Sequence, residues 1–457
     1  MSTDQGDTPL PSRRDLLKAG AAAGLGLALA RPGEELLGAE TPAVRARYPW
    51  VLPPMERVRI GFVGVGGMGM VHVNNLLAIP GAELVAICDV VPEKVTRAQD
   101  LVASKGFARP TGYGNGPRDF QRMCQQPDID LVYTATPWEW HAPVMLAAME
   151  AGKHTVTEVP MCTTLEECWH LLETSERTGR LCLMMENCVY DRPEMLCLNL
   201  VRQGLLGEIL HGECGYLHDL RAIKFADSGE GLWRRAHAVR RNANLYPTHG
   251  LGPIAQCMDI NRGDRFDYLV SMSSNSRGLR LYAEEHFPPG HPKRDEFFSL
   301  GDVNMTLIRT VKGKTIVLGH NCDNPRPYSR VNMVQGTKGI FEGYPNRVMV
   351  DGRSPNHRWE ELAAYYPEFE HPLWKDAAVQ RATTGHGGMD FLEDQRLIQC
   401  LRAGVPTDYT IWDGLSWSVI TPLSEMSVAN RSQPWPVPDF TRGRWEVLPP
   451  MPIHAPM

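Results

Sequence analysis

The sequence predicts an α/β protein in which an N-terminal, doubly wound parallel sheet is followed by an α/β domain with an open, largely antiparallel sheet. Two observations predict this arrangement. Between residues 57 and 190, short apolar runs alternate with helix-length segments, which is typical of parallel strands joined by crossover helices. Beyond residue 209, apolar and polar residues alternate within single segments, which is typical of antiparallel strands with one exposed face.

The composition of the 457 residues is that of an ordinary globular chain. Hydrophobic residues make up 43% and charged residues 22%, which excludes a disordered, collagen-like or polytopic membrane protein. The net charge of -6 is spread without long runs of one sign, so we expect no nucleic-acid partner and no stable membrane insertion. The eleven cysteines include no C-x-x-C pair, and we predict no metal site.

Residues 1–39 are predicted to be an export signal and leader rather than part of the fold. Paired arginines, Arg13 and Arg14, precede the apolar run Ala19 to Ala30. That run is too short to span a bilayer, and its lack of a polar face argues against an amphipathic helix. The pattern predicts export by the twin-arginine pathway and a periplasmic or secreted protein.

A dinucleotide site is predicted where the fold begins. The apolar run Val58 to Val63 reads as a buried strand, and a helix is expected from Met68 to Ala78. Between them lies a G-x-G-x-x-G turn whose glycines allow the tight turn, the approach of a pyrophosphate and close helix packing. Asp89 ends the second strand, twenty residues after the last glycine, where an acid favours NAD over NADP. The candidate cofactor residues of this region are Gly64, Gly66, Gly67, Met68, Gly69 and Asp89.

Further candidates follow the later strands of this domain, which we place at residues 57–190. Strands are expected at 130–135, 153–157 and 180–184. Ligands of doubly wound sheets bind at the carboxyl ends of the strands, so the residues at those ends should line one crevice. These residues are Trp138, Glu139, Trp140, His141, Glu158, Val159 and Asn187.

The second domain is predicted over residues 191–440 as the substrate-binding part. Its expected strands are Ile209 to Tyr216, Tyr268 to Ser274, Asn304 to Thr310 and Lys314 to Gly319. A Pro- and His-rich surface loop is expected at 284–295. A long helix from Asp390 to Ala403 is expected to pack back on the core.

The layout from Val58 to about Phe440 resembles the Gfo/Idh/MocA oxidoreductases, which combine a Rossmann domain with an open, largely antiparallel sheet. Those enzymes usually carry Glu-Lys-Pro after the fifth strand, and this chain has valine at the lysine position, Val159. Many also carry an aspartate four residues before a catalytic histidine, where this chain has Leu245 ahead of His249. Two proton-handling groups of a simple sugar dehydrogenase are therefore missing.

Several motifs carry a closer resemblance, to the NAD-dependent α-N-acetylgalactosaminidases of glycoside hydrolase family 109. They are Trp138-Glu139-Trp140-His141, Glu158-Val159-Pro160, Tyr246-Pro247-Thr248-His249-Gly250, Gly385-His386-Gly387-Gly388-Met389-Asp390 and residues 424–431. The resemblance implies that the nucleotide is held by Gly67, Met68, Asp89, Trp138 to His141, Glu158, Val159 and Asn187. It implies that the sugar is held by Tyr216, Arg234, Tyr246, Pro247, Thr248, His249 and Tyr328. Met68 departs from the arginine more often expected there.

The resemblance also implies a mechanism. Bound NAD takes hydride from a ring carbon, the neighbouring C–H becomes acidic, the anomeric group is eliminated, water adds and the hydride returns. We take His249 as the first candidate for proton transfer because its ordinary pKa lies near neutrality. Tyr216 and Tyr328 are expected to donate hydrogen bonds to the sugar or to its oxyanion. His386 either approaches the site or marks a tight turn before a helix.

Other functions remain open at the level of sequence. One is a Gfo/Idh/MocA sugar oxidoreductase, including enzymes that retain their cofactor as glucose-fructose oxidoreductase does. Another is a non-catalytic sugar-binding protein. Export favours a retained cofactor and a redox-neutral cycle, because no nicotinamide pool outside the cytoplasm renews a spent cofactor. The sequence leaves open the sugar, its anomeric preference, the aglycone, the C2 base and whether the chain forms a homo-oligomer.

Overall fold

The structure is a computed structural model, and it describes residues 52–382 and 385–457. The predicted twin-arginine signal lies outside the described residues.

The first sheet has six parallel strands in the order β3-β2-β1-β4-β5-β6. Its strands are β1 (Val58–Val63), β2 (Ala82–Cys88), β3 (Thr111–Tyr113), β4 (Leu131–Thr134), β5 (His154–Thr157) and β6 (Cys182–Met184). The order reverses between β1 and β4, which is the switch point where doubly wound sheets bind nucleotides. Strands β4 and β5 are buried throughout, as expected of strands covered by helices on both faces.

Helices connect these strands on both faces of the sheet. They are α1 (Gly67–Ala78), α2 (Pro92–Ser104), α3 (Asp119–Cys124), α4 (His141–Glu150) and α5 (Leu165–Thr178), with 3-10 turns at Trp138–Trp140 and Asn187–Tyr190. The start of α5 is fixed by a capping box, in which the Thr164 side chain accepts from the Glu167 backbone amide and Glu167 bonds back. The left-handed Gly179 ends the same helix.

The second sheet is mixed and mostly antiparallel, in the order β14-β13-β12-β11-β7-β10-β9-β8-β15. Its strands are β7 (Ile209–Leu217), β8 (Phe266–Ser273), β9 (Asn304–Thr310), β10 (Thr315–Asn321), β11 (Met333–Gly336), β12 (Gly339–Glu342), β13 (Arg347–Val350), β14 (Glu360–Glu361) and β15 (Trp435–Pro436). Strands β7 and β10 pair in parallel, and the other neighbours are antiparallel. Along β9, buried and exposed residues alternate at every position, so one face of the sheet is open.

Among the described residues, ten more helices belong to this second half. They are α6 (Arg192–Arg202), α7 (Arg221–Phe225), α8 (Arg234–Arg240), α9 (Thr248–Cys257), α10 (Gly278–His286), α11 (Tyr366–Phe369), α12 (Ala377–Arg381), α13 (Met389–Ala403), α14 (Ile411–Ser418) and α15 (Ile420–Ala429). Further 3-10 turns lie at Gly229–Leu232, Leu362–Ala364, Pro372–Lys375, His386–Gly388 and Arg444–Glu446. Helix α13 packs against α1 of the first sheet and against the turn at Asn187–Tyr190.

The fold class is as predicted, a parallel Rossmann-type sheet followed by a mostly antiparallel one. Strands β1 and β9 have the predicted bounds, and other predicted elements shift by one to two residues at an end. The predicted surface loop at 284–295 is wrong at its start, because α10 continues to His286. No described helix is long and apolar enough to cross a membrane. All eleven cysteines are buried with free thiols.

Candidate active site

The turn between β1 and α1 has the geometry of a dinucleotide cradle. Gly64 has a φ of +87°, and a Cβ there would lie 2.7 Å from the carbonyl oxygen of Ala135. A Cβ on Gly69 would lie 1.9 Å from the carbonyl oxygen of Gly64, so helix and turn pack without room for a side chain. At Gly66 and Gly67 a Cβ would meet nothing within 4 Å, which leaves open space for a pyrophosphate above the helix N-terminus.

Asp89 stands beside this turn at the carboxyl end of β2. Its Oδ2 accepts from the Val65 amide at 2.9 Å and its Oδ1 accepts from the Val91 amide at 2.9 Å. Each carboxylate oxygen keeps a second lone pair, so the side chain is fixed in place and can still accept from ribose hydroxyls. This geometry agrees with the adenosine-side role predicted for it.

A cavity of about 490 Å³ runs along the carboxyl ends of the first sheet. Its walls include the 3-10 turn at Gly229–Leu232, so both halves of the chain enclose it. The predicted residues that line it are Gly64, Gly66, Gly67, Met68, Asp89, Trp138, Trp140, His141, Glu158, Val159, Arg234 and Tyr246. The open glycines and the fixed carboxylate fit NAD with adenosine near Asp89 and nicotinamide near Glu158, at opposite ends of the crevice.

The other predicted cofactor residues, Gly69, Glu139 and Asn187, are not among those that line the cavity. Gly69 packs on Gly64, as described above. The Glu139 carboxylate lies 3.6 Å from the His237 ring, and Asn187 donates from Nδ2 to Asp390 Oδ1 at 2.6 Å.

The ring of His141 borders the cavity but is held by backbone. Its two nitrogens face the carbonyl oxygens of Thr136 and Pro160 at 2.8 and 2.7 Å, and burial lowers its pKa. Its ring therefore joins the loops that follow β4 and β5.

Aromatic rings and one arginine form the end of the cavity away from Asp89. Trp138 stacks on Tyr246 with centroids 5.3 Å apart and planes 19° apart. The Arg234 guanidinium lies 4.9 Å from the Trp138 ring centre and 5.2 Å from that of Trp233. Its Nε is 2.8 Å from Glu230, so the buried cation is paired and also stacked on three rings.

The predicted substrate residues meet around Tyr216. The centroid of its ring lies 4.6 Å from that of Tyr246, 5.6 Å from that of His249 and 6.1 Å from that of Tyr328. The Tyr216 hydroxyl bonds His218 Nδ1 at 3.2 Å, and burial raises the pKa of both Tyr216 and Tyr328. Both phenols therefore stay protonated near neutral pH and can donate hydrogen bonds.

Local chain geometry places His249. Pro247 directly precedes α9 and the buried Thr248 begins it, so the imidazole stands in the first turn of that helix. Neither Pro247 nor Thr248 lines the cavity, and both act by setting the direction of the helix that carries His249. Gly250 is required beside it, because a Cβ there would lie 2.5 Å from the Gly215 amide nitrogen.

His249 is paired with an acid that sequence reasoning missed. Its Nδ1 donates to Glu186 Oε1 at 2.6 Å, and the Cys188 amide donates to the same oxygen at 3.1 Å. The Glu186 backbone amide donates to the Tyr409 hydroxyl at 2.9 Å, and its side chain is fully buried. A carboxylate that accepts a hydrogen bond from Nδ1–H fixes the tautomer in which Nε2 is the free, basic nitrogen.

The same residues are the group in the described chain whose atoms come close enough to ligate a metal. Ligand atoms of Glu186, Cys188 and His249 lie within 4.8 Å of one another. Glu186 Oε1 already accepts the two hydrogen bonds given above, and burial raises the pKa of the Cys188 thiol. Metal binding would have to displace those bonds and a proton.

A second imidazole stands at the start of α13. His386 Nδ1 lies 2.9 Å from Asp390 Oδ2, and the other oxygen of Asp390 accepts from Asn187. The Asp390 hydrogen bond raises the pKa of His386 against the opposing effect of burial. Burial alone would raise the pKa of Asp390. The hydrogen bond from His386 and nearby charges outweigh burial, so the pKa of Asp390 lies below its ordinary value. His386 is half exposed and begins the 3-10 turn directly before α13, and it is not among the residues that line the cavity.

Tyr328 is held by Arg330, which sequence reasoning also missed. Arg330 Nη1 donates to the Tyr328 hydroxyl at 3.2 Å, and the guanidinium pairs with Glu194 at 2.7 Å and with Asp191. The signal available in the sequence was weak, because a lone arginine two residues after a tyrosine gives no pattern. Glu186 had a better signal, since it lies two residues after the end of β6 and directly precedes Asn187.

Comparison with known proteins identifies the family. A sequence model described as "Glycosyl hydrolase 109, C-terminal domain" matches residues 190–447, and one described as "Oxidoreductase family, NAD-binding Rossmann fold" matches residues 58–186. The chain belongs to glycosyl hydrolase family 109. The first half of this family 109 protein is an NAD-binding Rossmann domain.

Relatives named as family 109 proteins extend over almost the whole chain. A "Glycosyl hydrolase family 109 protein" of Shewanella pealeana is 47% identical over 408 residues, covering 88% of this chain and 90% of the relative. One of Solibacter usitatus is 46% identical over 443 residues, covering 96% and 99%. The predicted resemblance is confirmed at the level of family 109, which supports a glycosidase role.

Solved structures share the fold at low identity. A levoglucosan dehydrogenase in complex with NADH and L-sorbose matches with a TM-score of 0.64 at 21% identity, covering 84% of this chain and all of that one. A scyllo-inositol dehydrogenase from Lactobacillus casei with NAD(H) and scyllo-inositol matches with a TM-score of 0.59 at 17% identity, covering 83% and 99%. These likenesses confirm the predicted architecture.

Proposed function

We propose that this family 109 protein hydrolyses terminal N-acetylgalactosaminyl or related glycosides through an NAD-dependent cycle with no net redox change. The observation that carries the proposal is the position of Tyr246. Its ring stacks on Trp138 in the dinucleotide cavity and also packs against Tyr216 and His249. A sugar bound beside His249 therefore lies next to the nicotinamide end of the cavity.

Bound NAD supplies hydride chemistry, which oxidises one ring hydroxyl of the sugar, most simply that at C3, and later restores it. Oxidation acidifies the C2–H, so the anomeric group can leave by elimination before water adds. The chain's own task is to move protons and to stabilise the enolate-like charge. His249 accepts a proton at Nε2, because Glu186 holds its Nδ1–H. The Tyr216 and Tyr328 hydroxyls donate to sugar oxygens.

His386 supplies a second proton carrier at the same site. Its hydrogen bond with Asp390 raises its pKa, so it keeps its proton to a higher pH than an ordinary imidazole does. An elimination with water addition needs one group that accepts a proton from carbon and another that protonates the departing oxygen. Two imidazoles, each oriented by its own carboxylate, meet that requirement.

The residue Val159, which follows β5, favours the hydrolytic cycle over net oxidation of the sugar. Val159 occupies the position where sugar oxidoreductases of the wider superfamily carry a lysine, and it has no proton to exchange. Family membership supports the same choice.

The decisive experiment is incubation of the purified protein with p-nitrophenyl α-N-acetylgalactosaminide without added nicotinamide. We expect release of nitrophenol, lost in His249→Ala, and no accumulation of NADH. Formation of NADH together with an oxidised sugar, and no release of nitrophenol, would establish a sugar oxidoreductase instead. If the protein binds the sugar but neither product appears, it is a binding protein. A panel with the β-anomer and with other hexosamines and hexoses decides the sugar and anomer.

Export of the folded, cofactor-loaded protein is part of the same proposal. Arg13 and Arg14 followed by an apolar run support the twin-arginine route, and a cofactor that is never spent suits a compartment without a nicotinamide pool. The test is cell fractionation of the full chain beside the double variant Arg13→Lys, Arg14→Lys. We expect the variant to stay in the cytoplasm, still loaded with NAD. Equal export of both proteins would remove the twin-arginine assignment.

A further inference from the structure

A fully buried histidine in α1 links the cofactor cavity to helix α13. His72 Nε2 lies 2.7 Å from Glu158 Oε1, and His72 Nδ1 lies 2.8 Å from Asp394 Oδ2. The Tyr133 hydroxyl lies 3.0 Å from the same Nδ1 and donates to Asp394 Oδ1 at 3.1 Å. The row Glu158–His72–Asp394 thus runs from the cavity wall into the core.

The imidazole in this row carries a positive charge. Both of its nitrogens face carboxylates, and only the doubly protonated ring can donate to both. Burial opposes the charge, yet Asp394 and Glu158 together raise the pKa of His72 well above its ordinary value. A cation between two anions leaves the row with one net negative charge.

The outer end of the row reaches the cofactor. Glu158 follows β5, lines the cavity, and its side chain is 16% exposed, whereas Asp394 is fully buried. The Oε2 atom of Glu158 accepts a hydrogen bond from the Val159 amide at 3.0 Å, and its Oε1 atom is held by His72. Both oxygens of Glu158 are therefore fixed. The carboxylate stands at the end of the crevice away from Asp89, which is the end that would hold the nicotinamide of NAD.

We propose that His72, held from behind by Asp394, is a positioning residue that keeps the Glu158 carboxylate ionised and fixed at the nicotinamide end, so that the site binds NAD⁺ in preference to NADH. The nicotinamide ring is a cation when oxidised and neutral when reduced. A fixed anion within a few ångströms, in a poorly solvated crevice, stabilises the cation selectively. Within the hydrolytic cycle, the same bias favours return of the hydride to the sugar, and only that consequence rests on the proposed function.

Other ionisable groups act on the row from neighbouring elements. Helix α13 contributes the carboxylates Asp390 and Glu393, whose negative charges disfavour a further anion at Glu158. Other elements contribute the phenols Tyr133 and Tyr246 and the imidazoles His141 and His386. In their presence Glu158 keeps a pKa below its ordinary value, since the effect of His72 exceeds the cost of burial. Removal of the imidazolium leaves burial and like charges, which favour protonation of Glu158.

The test is the dissociation constant of NAD⁺ and of NADH, measured by calorimetry on the mature protein after removal of bound nucleotide. In His72→Gln at pH 7, we expect the preference for NAD⁺ over NADH to fall about tenfold or more. The preference should return as the pH rises and Glu158 loses its proton. Glu158→Gln, a change at the cavity surface that spares the core, should show the same fall without the return.

His141→Gln is the matched control, a buried histidine on the same cavity held by backbone carbonyls instead of carboxylates. It should weaken both nucleotides equally. Equal weakening in His72→Gln or Glu158→Gln as well would show that the row is only structural and would overturn the proposal. Because no sugar takes part, loss of the hydrolytic function in its own assay leaves this outcome untouched.

Discussion

The pairing of His249 with Glu186 is the residue-scale feature that most constrains the chemistry. The acid is fully buried and holds one ring nitrogen, so the imidazole has a defined tautomer and direction before any sugar binds. The hydrogen bond from the Cys188 amide holds the acid itself. In the proposed cycle, proton transfer would therefore take place at a preset atom, Nε2.

Replacement of Glu186 tests that pairing. Glu186→Gln keeps the size of the side chain but offers an amide in place of the carboxylate, so the imidazole loses its fixed tautomer. We expect kcat for glycoside hydrolysis to fall about 100-fold or more. The dissociation constant of NAD should not change, because Glu186 does not line the dinucleotide cavity. A parallel loss of NAD affinity would mean that the acid supports the fold of the cavity instead.

The pair formed by His386 and Asp390 predicts a measurable titration. Asp390→Asn removes the main cause of the raised pKa of His386, so this pKa should fall toward the ordinary value of about 6.5. Selectively labelled histidine followed by NMR during a pH titration measures it. An unchanged pKa would show that other charges hold the proton.

The sign of the linked stability follows from the raised pKa of His386. The His386–Asp390 pair contributes fully to the free energy of unfolding below the pKa that His386 has in the unfolded chain. This contribution is lost as the pH rises through the higher pKa that His386 has in the folded protein. Wild-type protein should therefore lose this contribution on the alkaline side, and Asp390→Asn should lack that step. Because His386 is half exposed, water screens the pair and the step is small.

At the residue scale, the sequence predicted the groups that follow strands and missed those that act through another side chain. Trp138 and Glu158 could be placed because parallel strands end at one edge. Glu186 and His72 act by holding a neighbour that lies far away in the chain. Arg330 holds the nearby Tyr328 but is itself fixed by the distant Glu194 and Asp191. Such pairs depend on the packing of the two halves, which no local pattern encodes.

At the scale of elements, the turn between β1 and α1 separates glycines that the fold needs from glycines that the ligand needs. Gly69→Ala drives a methyl group into the Gly64 carbonyl, and we expect a loss of about 1–3 kcal/mol in the free energy of unfolding. Gly66→Ala points into open space, so the apoprotein should keep its stability while NAD binds about tenfold more weakly or worse. Denaturant unfolding and calorimetry measure the two effects. The interpretation fails if both variants lose stability alike.

Helix α13 serves the site through acids on its buried side. Asp390 holds His386, and Asp394 holds His72. Glu393 accepts a hydrogen bond from the Tyr409 hydroxyl, which itself accepts one from the backbone amide of Glu186. The sequence predicted the helix and its length to within one residue. It could not show that the acids are buried, since acids on a helix ordinarily face water.

At the scale of the whole molecule, the dinucleotide cavity is enclosed by both halves. The 3-10 turn at Gly229–Leu232 and the Trp233–Arg234 pair face the glycine turn across the same space. Sequence predicted two sheets and a crevice, and the fold class is confirmed. The closing segment could not be predicted, because its residues carry no periodic pattern and gain their place only from the opposite half.

Enclosure by both halves predicts cooperative stabilisation by the cofactor. NAD at 100 times its dissociation constant should add about 2.7 kcal/mol to the free energy of unfolding. Because both halves contact it, a single calorimetric transition should move as a whole to higher temperature. Two transitions, of which only one responds to NAD, would contradict an enclosed site. Gly66→Ala provides the control, since it should weaken the shift without changing the transition of the apoprotein.

The eleven buried thiols can report whether the protein is folded, because a reagent reaches them only when the structure opens. A maleimide dye added to intact molecules finds no sulfur to label, whereas a chain that opens presents many at once. The rate of dye uptake therefore counts opening events directly, with no engineered probe. A preparation that labels quickly has already lost its packed interior, whatever its absorbance suggests.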